Sequence, residues 1–325
     1  MYIFTEQEIR TALQLNTEVT EQVKSGFLAL ARGLVVTPPI MRVDITDANG
    51  ELDVKTAYVK GLGQFAVKMS SGFFHNPAKG LPSGSGMMVL FSAVSGIPEA
   101  VFLDNGYMTD VRTAAAGAVA AQYLAPNNCR IVGVIGSGMQ AQYQLQALRL
   151  VRSFDSVLVY SRNPANARRF AERMTKQLQL PVQAARTPQE LVQQSETVLT
   201  ATPSKVPLIE ASWLHKGMHI TAVGSDAEGK QELDRAVLAA ADVFVCDLKS
   251  QSEVLGELHH AVKSGPLPKG FTVTEIGDMV SGKKPGRSHS EEITICDLTG
   301  TGVQDTMVAI YAYELLRSQG AGTEF

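Results

Sequence analysis

The sequence is short of cysteine, of net charge and of long apolar runs, and each shortage closes a class of explanation. Its three cysteines, Cys129, Cys246 and Cys296, stand far apart, with no Cys-x-x-Cys pair and no Cys/His cluster. A disulfide framework and a metal centre are therefore not expected, and a reducing cytoplasm is. The formal charge is −3, from 29 basic and 32 acidic residues, with no basic block. Nucleic acid is thus not an expected partner, because its phosphates are met by clustered Lys and Arg. No run approaches the roughly 18 apolar residues of a membrane span, so no membrane partner is expected. The N-terminal residues Met1 to Glu8 lack the apolar core of a secretory signal.

What is present is ordinary globular material: 325 residues, 45% hydrophobic, too apolar for disorder and long enough for two domains of roughly 100–200 residues each. Thr5-Glu6-Gln7-Glu8 reads as a capping box opening a helix. A second helix is expected over 17–32, with Gly33 as its stop. Strands are expected over 41–45 and 51–58 around an Asn49-Gly50 turn, then over 65–70, 87–92 and 99–103, as an antiparallel sheet. An Ala-rich helix over 109–124 stops before Pro126.

From residue 130 the rhythm becomes β/α alternation. Strands are expected at 130–135, 156–161, 181–185, 196–201, 218–223, 242–247 and 292–297. Helices are expected at 138–151, 164–178, 188–194, 231–240, 250–263 and 303–318. This pattern predicts an α/β fold with a doubly wound parallel sheet.

The clearest motif is Gly136-Ser137-Gly138-Met139-Gln140-Ala141, directly after the apolar run Ile131–Ile135 and directly before a helix. In that setting the first glycine makes a tight turn, the second lets backbone approach a pyrophosphate, and Ala141 lets helix and strand pack closely. The helix N-terminus adds amide donors and partial positive charge. The second strand ends Tyr160-Ser161-Arg162-Asn163, without the acid that would hold the ribose hydroxyl of NAD. Ser161 and Arg162 suit a 2′-phosphate, which points to NADP(H). The alternative is that Arg162 is a solvated strand-end residue and NAD(H) is accepted too.

With these motifs in hand, the chain resembles the ornithine cyclodeaminase/mu-crystallin family. The resemblance rests on Asp104 to Ala116, on Gly136 to Ala141, and on Val223-Gly224-Ser225-Asp226 with Lys230, Glu232 and Leu233. It spans nearly the whole chain. Thr56 to Tyr58, Gly72 to Phe74, Gly256 to His260 and Cys296 to Asp305 are most similar to its ectoine-utilisation branch. The resemblance implies a Rossmann domain at 126–302 inserted in an α+β substrate and dimerisation domain of 1–125 plus 303–325. It implies a homodimer acting with a nicotinamide cofactor at the Cα of a small α-amino or α-imino acid.

By the same resemblance Arg42 and Arg112 would bind the substrate carboxylate, Lys68 would be the site lysine, and Asp226 would transfer protons. Paired hydrogen bonds from a planar guanidinium fix the orientation of a carboxylate. A lysine in the apolar run Phe65–Met69 would have a lowered pKa. Each residue has a plainer reading: Arg42 a surface charge, Arg112 a salt bridge, Lys68 facing water, Asp226 a helix cap. Further cofactor contacts are expected at Thr113, Thr202, Pro203, Val223, Gly224 and Gly302, where turn chemistry alone would also place glycine. His259-His260 reads as structural, since neighbours on a helix face apart.

One position departs from the family. Ornithine-converting members carry a glutamate thirteen residues before the site lysine, and this chain has Lys55 there. A lysine would repel a distal ammonium, so a substrate with a neutral or acidic distal group is expected. Three functions follow: an imine reductase or amino-acid dehydrogenase first, a redox-neutral cyclodeaminase or ammonia lyase second, and a cofactor-dependent ligand-binding protein third.

Overall fold

Cap and turn chemistry place the first elements. In the computed structural model, which describes residues 1–325, β1 (Tyr2–Thr5) runs into α1 (Glu6–Ala12), and Thr5 and Glu8 form the reciprocal capping box. α2 (Thr17–Ala31) starts at an Asn16 cap and ends ahead of Gly33. β2 (Val35–Val36) and β3 (Met41–Ile45) follow, and Asn49, in the left-handed region at φ 47°, turns the chain into β4 (Gly50–Val59). β5 (Gln64–Phe73), β6 (Gly84–Ser92), β7 (Pro98–Leu103) and α3 (Tyr107–Leu124) come next.

The β/α stretch then runs β8 (Ile131–Ile135), α4 (Met139–Val151), β9 (Ser156–Tyr160), α5 (Pro164–Leu178), β10 (Val182–Ala184), α6 (Pro188–Gln194), β11 (Thr197–Thr200), β12 (Lys205–Ile209) and β13 (His219–Ala222). It continues with β14 (Gln231–Leu233), α7 (Arg235–Ala239), β15 (Val243–Cys246), α8 (Lys249–Ser252), α9 (Glu257–Lys263), β16 (Val273–Glu275), α10 (Ile276–Val280) and β17 (Thr294–Asp297). α11 (Gly302–Ser318) and β18 (Thr323–Glu324) close the chain.

Two units result: Met1–Ala115 with Thr301–Phe325, and Ala116–Gly300. The division falls inside α3 rather than after it at residue 125. The first unit holds a sheet in the order β18-β1-β7-β6-β5-β4-β2, with β3 also on β4. The expected strands β3 to β7 pair antiparallel throughout, and β1, which the sequence reading does not include, adds to their edge parallel to β7. No hairpin joins those two strands, so no turn imposes their direction. Ala57 and Val59 of β4 pack with Ala29 of α2 and Val303 of α11. The opposite face leaves Met41, Val43, Met87 and Leu103 between 37% and 56% exposed.

The second unit carries an all-parallel sheet in the order β10-β9-β8-β11-β13-β17-β15-β16. Its direction of winding reverses between β8 and β11, where open α/β sheets bind their ligands. Two expected helices differ. Residues 231–233 are strand, paired with β12, and Asp234 starts the helix by accepting from the Ala236 amide at 2.8 Å. The stretch 250–263 breaks into α8 and α9 at Gly256, whose extended backbone caps α9. No helix is long and apolar enough to cross a membrane.

Candidate active site

In the second unit the glycine turn follows β8 directly. Gly136 has φ +120°, and a Cβ there would stand 2.5 Å from the Ala201 carbonyl oxygen, so only glycine fits. Its amide donates to the Tyr160 carbonyl at 2.9 Å, tying the turn to the end of β9. Gly138 caps α4 with extended backbone and no side-chain cap bond, and a Cβ there would meet nothing within 4 Å. A 13-residue helix thus begins at a clear surface, with its first-turn amides pointing out of the helix end. That is the geometry of a phosphate cradle. Ala141 is fully buried against the core that holds Val132 and Val134, while Met139 is 54% exposed. These residues fit a dinucleotide pyrophosphate.

Ser137 donates to the Ser161 hydroxyl at 3.1 Å. Arg162 is exposed, and Asn163 caps α5 by accepting from the Ala165 amide at 2.9 Å. No carboxylate stands at this strand end. Thr202 and Pro203 follow β11, and Val223 and Gly224 follow β13, both at carboxyl ends of the sheet. Asp226 lies beyond them and is paired with Lys230 at 2.8 Å, its side chain 43% exposed. It caps no helix, since Asp234 takes that place in α7.

The first unit gathers charge on the inward face of its sheet. Lys68 of β5 and Lys55 of β4 are direct cross-strand partners, and both are buried. Like charges placed so would destabilise a sheet unless anions intervene. Asp305, on the first turn of α11, is fully buried and lies 3.4 Å from the Lys68 ammonium and 2.9 Å from Arg112 Nε. Arg112 Nη1 also donates to Gln304 Oε1 at 2.9 Å. The helix is seated there by Thr306, which donates to the Ala57 carbonyl at 2.8 Å and accepts from the Ala66 amide at 3.1 Å.

Burial, with Arg112 and Lys55 nearby, lowers the Lys68 pKa from 10.5 to about 7, and Asp305 opposes the shift. Lys68 therefore does not face water, and Arg112 is both buried and ion-paired.

Arg42 is less simply placed. It holds Asp44 at 2.9 Å, Glu51 at 2.5 Å and Asp53 at 3.4 Å, with 26% of its side chain exposed. Thr113 spends its hydroxyl on the Thr109 carbonyl, at 2.7 Å, within its own helix. Gly302 lies against the Thr56 backbone, where any Cβ would collide with the carbonyl, so packing alone accounts for it. His259 and His260 bond to the carbonyls of Glu253 and Lys230 at 3.0 and 2.7 Å, a structural use. Sequence reasoning passed over Asp305. The signal available was a carboxylate set among the apolar positions Val303, Val308, Ala309 and Ala312 of a helix.

A family model described as the ornithine cyclodeaminase/mu-crystallin family matches residues 2–320. An uncharacterised cyclodeaminase of Sinorhizobium fredii is 45% identical over 326 aligned residues, which cover 100% of this chain and 98% of that one. Among solved structures, a Thermococcus litoralis Δ1-pyrroline-2-carboxylate reductase in complex with NADH and L-proline superposes with a TM-score of 0.94 at 31% identity, covering 100% of both chains. An archaeal alanine dehydrogenase dimer with bound NAD gives 0.91 at 34% identity, covering 100% of this chain and 98% of that one.

Proposed function

The chain belongs to the ornithine cyclodeaminase/mu-crystallin family, and from that premise we propose that it is an NAD(P)H-dependent reductase or dehydrogenase working at the Cα of a small α-imino or α-amino acid. One observation carries this reading: the same chain holds a glycine turn fitted to a dinucleotide and a buried Lys68–Asp305–Arg112 group fitted to a carboxylate and a proton.

A bound NAD(P)H supplies hydride for Cα. Arg112, its guanidinium oriented by Asp305 and Gln304, holds the substrate carboxylate, and fixing that group orients Cα. Arg42 assists, in competition with the three carboxylates around it. The imine nitrogen must gain one proton as Cα gains hydride. Lys68, which titrates near neutrality, and Asp226 hold the protons for that exchange. Lys55, buried opposite Lys68, disfavours a distal ammonium and favours a neutral or acidic distal group.

Ser161 and Arg162, with no acid beside them, support NADP(H) as the preferred cofactor. NAD(H) is the alternative, in line with the NADH and NAD held by the solved relatives. The exposed apolar sheet face at Met41, Val43, Met87 and Leu103 supports a homodimer, because monomers rarely leave such a face uncovered. Three buried free cysteines suit a reducing cytoplasm.

A second reading, a redox-neutral cyclodeaminase, is favoured by the name of the Sinorhizobium relative and opposed by Lys55. The deciding experiment follows cofactor absorbance with cyclic imines and with oxo acids plus ammonia or methylamine, using Asp226→Asn as control. Consumption of NADPH that the variant loses supports reduction. Ammonia release from a diamino acid without net cofactor change would replace that reading with the second.

A further inference from the structure

Glu232 lies on β14 and is fully buried, yet its carboxylate accepts four hydrogen bonds. Oε1 takes the Thr202 amide and the Thr202 hydroxyl, both at 2.7 Å. Oε2 takes the Thr200 hydroxyl at 2.6 Å and the Gly224 amide at 2.8 Å. One side chain thus ties the loop after β11 to the loop after β13.

The clasp is itself braced. Glu257, also buried, accepts from the Glu232 amide at 2.8 Å and the Leu233 amide at 3.0 Å. Gly224 has no room for a side chain, because a Cβ would lie 2.6 Å from Glu232 Oε1 and would collide with the Thr202 carbonyl. Lys230, immediately before β14, carries the ion pair to Asp226.

We infer that Glu232 is a positioning residue that fixes the two strand-end loops on the nicotinamide side of the cofactor site, leaving the adenylate side to the Gly136–Ala141 turn. This assignment rests on the proposed dinucleotide site. A glutamine at 232 keeps the shape of the side chain, but one of its two terminal groups becomes a donor. Whichever way it turns, either the Thr202 or the Gly224 amide then faces an N–H rather than an oxygen.

The test measures dissociation constants of wild type and Glu232→Gln for ADP, which spans the turn and the end of β9 but not the two clasped loops, and for NADPH or NADH, whichever binds wild type more tightly. Hydrogen exchange of the ligand-free proteins is measured alongside. The expected result is a dinucleotide constant raised about tenfold or more, equivalent to about 1.4 kcal/mol, with the ADP constant within about twofold. Exchange should rise at 200–204 and 222–226 and not along β8. Equal weakening of both ligands would make Glu232 merely a structural residue and overturn the inference. Unchanged binding of both, or unchanged exchange in the two loops, would do the same. Wild-type protein that binds neither ligand would overturn the cofactor reading itself, visible before any variant is made. If Glu232→Gln fails to fold, Thr200→Val removes one buried donor to the clasp and should show the same selectivity at smaller amplitude.

Discussion

Replacing Lys68 by methionine should make the protein more stable near neutral pH and abolish its chemistry. Lys68 is 1% exposed, and its pKa falls from 10.5 to about 7. Between those values the unfolded chain binds a proton that the native protein does not, so stability rises with pH across that window and is lowest, on this account, below it. At about 1.36 kcal/mol per unit, the native protein should gain about 3 kcal/mol relative to Lys68→Met on going from about pH 7 to about pH 10. Methionine fills similar volume without charge, and Asp305 keeps Arg112 as its partner, so no buried carboxylate is abandoned. Urea unfolding of both proteins, followed by circular dichroism at several pH values, reads the difference. Reductase turnover should fall at least about a hundredfold, the scale expected of a positioned proton-transfer group. Parallel stability profiles for the two proteins, or a variant with near-normal turnover, would refute the account of Lys68 as a strained, working lysine.

Three other outcomes are expected. Gly138→Ala should leave thermal stability unchanged, because a Cβ there meets nothing, yet weaken NAD(P)H binding in a fluorescence titration at least about tenfold if the space is the phosphate's; unchanged binding would place the phosphates elsewhere. Arg162→Ala should reduce kcat/KM with NADPH at least about tenfold, on the scale of one charge-assisted contact, and hardly alter it with NADH. Asp297 has its pKa raised from 3.8 to about 8 by burial and by Asp247, so the native state retains a proton the unfolded chain loses, and stability falls as pH rises through that interval. Asp297→Asn should flatten that fall and melt higher than wild type at about pH 8, as read by calorimetry; a variant that melts lower would show that the carboxylate is needed in its charged form.

What could be read from the sequence was what is local. The turn at Gly136 lies within one strand–turn–helix stretch, so residue spacing sufficed. The capping box at Thr5 and the turn at Asn49 are likewise decided within a few residues. Lys68 was half legible: alternation in β5 fixed that it faces opposite to Val67, but only docking of α11 decides which face is inside. Asp305 and Glu232 were out of reach because their roles exist only between distant segments. A carboxylate bonded to Thr200, Thr202 and Gly224 leaves no periodic trace near residue 232. The same region explains why the helix expected over 231–240 starts only at Arg235, since pairing with β12 and the two backbone amides held by Glu257 keep 231–233 extended. Arg42 was legible only as a family position, and its three carboxylate neighbours come from the hairpin that joins β3 to β4.

The first unit is written at both ends of the chain, Met1–Ala115 and Thr301–Phe325, around a contiguous second unit. During synthesis, β4 and β5 therefore emerge long before the helix that covers them. Until α11 arrives, Lys68 and Arg112 lack Asp305, Ala57 and Ala66 lack Thr306, and Ala57 and Val59 lack Val303. The inserted unit has all its strands in hand by residue 297 and can close first, domains generally folding as units. The helix that seals the lysine in follows that whole unit in the chain, so the depressed pKa of Lys68 is a property the first unit cannot have until residues from both sides of the insertion have come together.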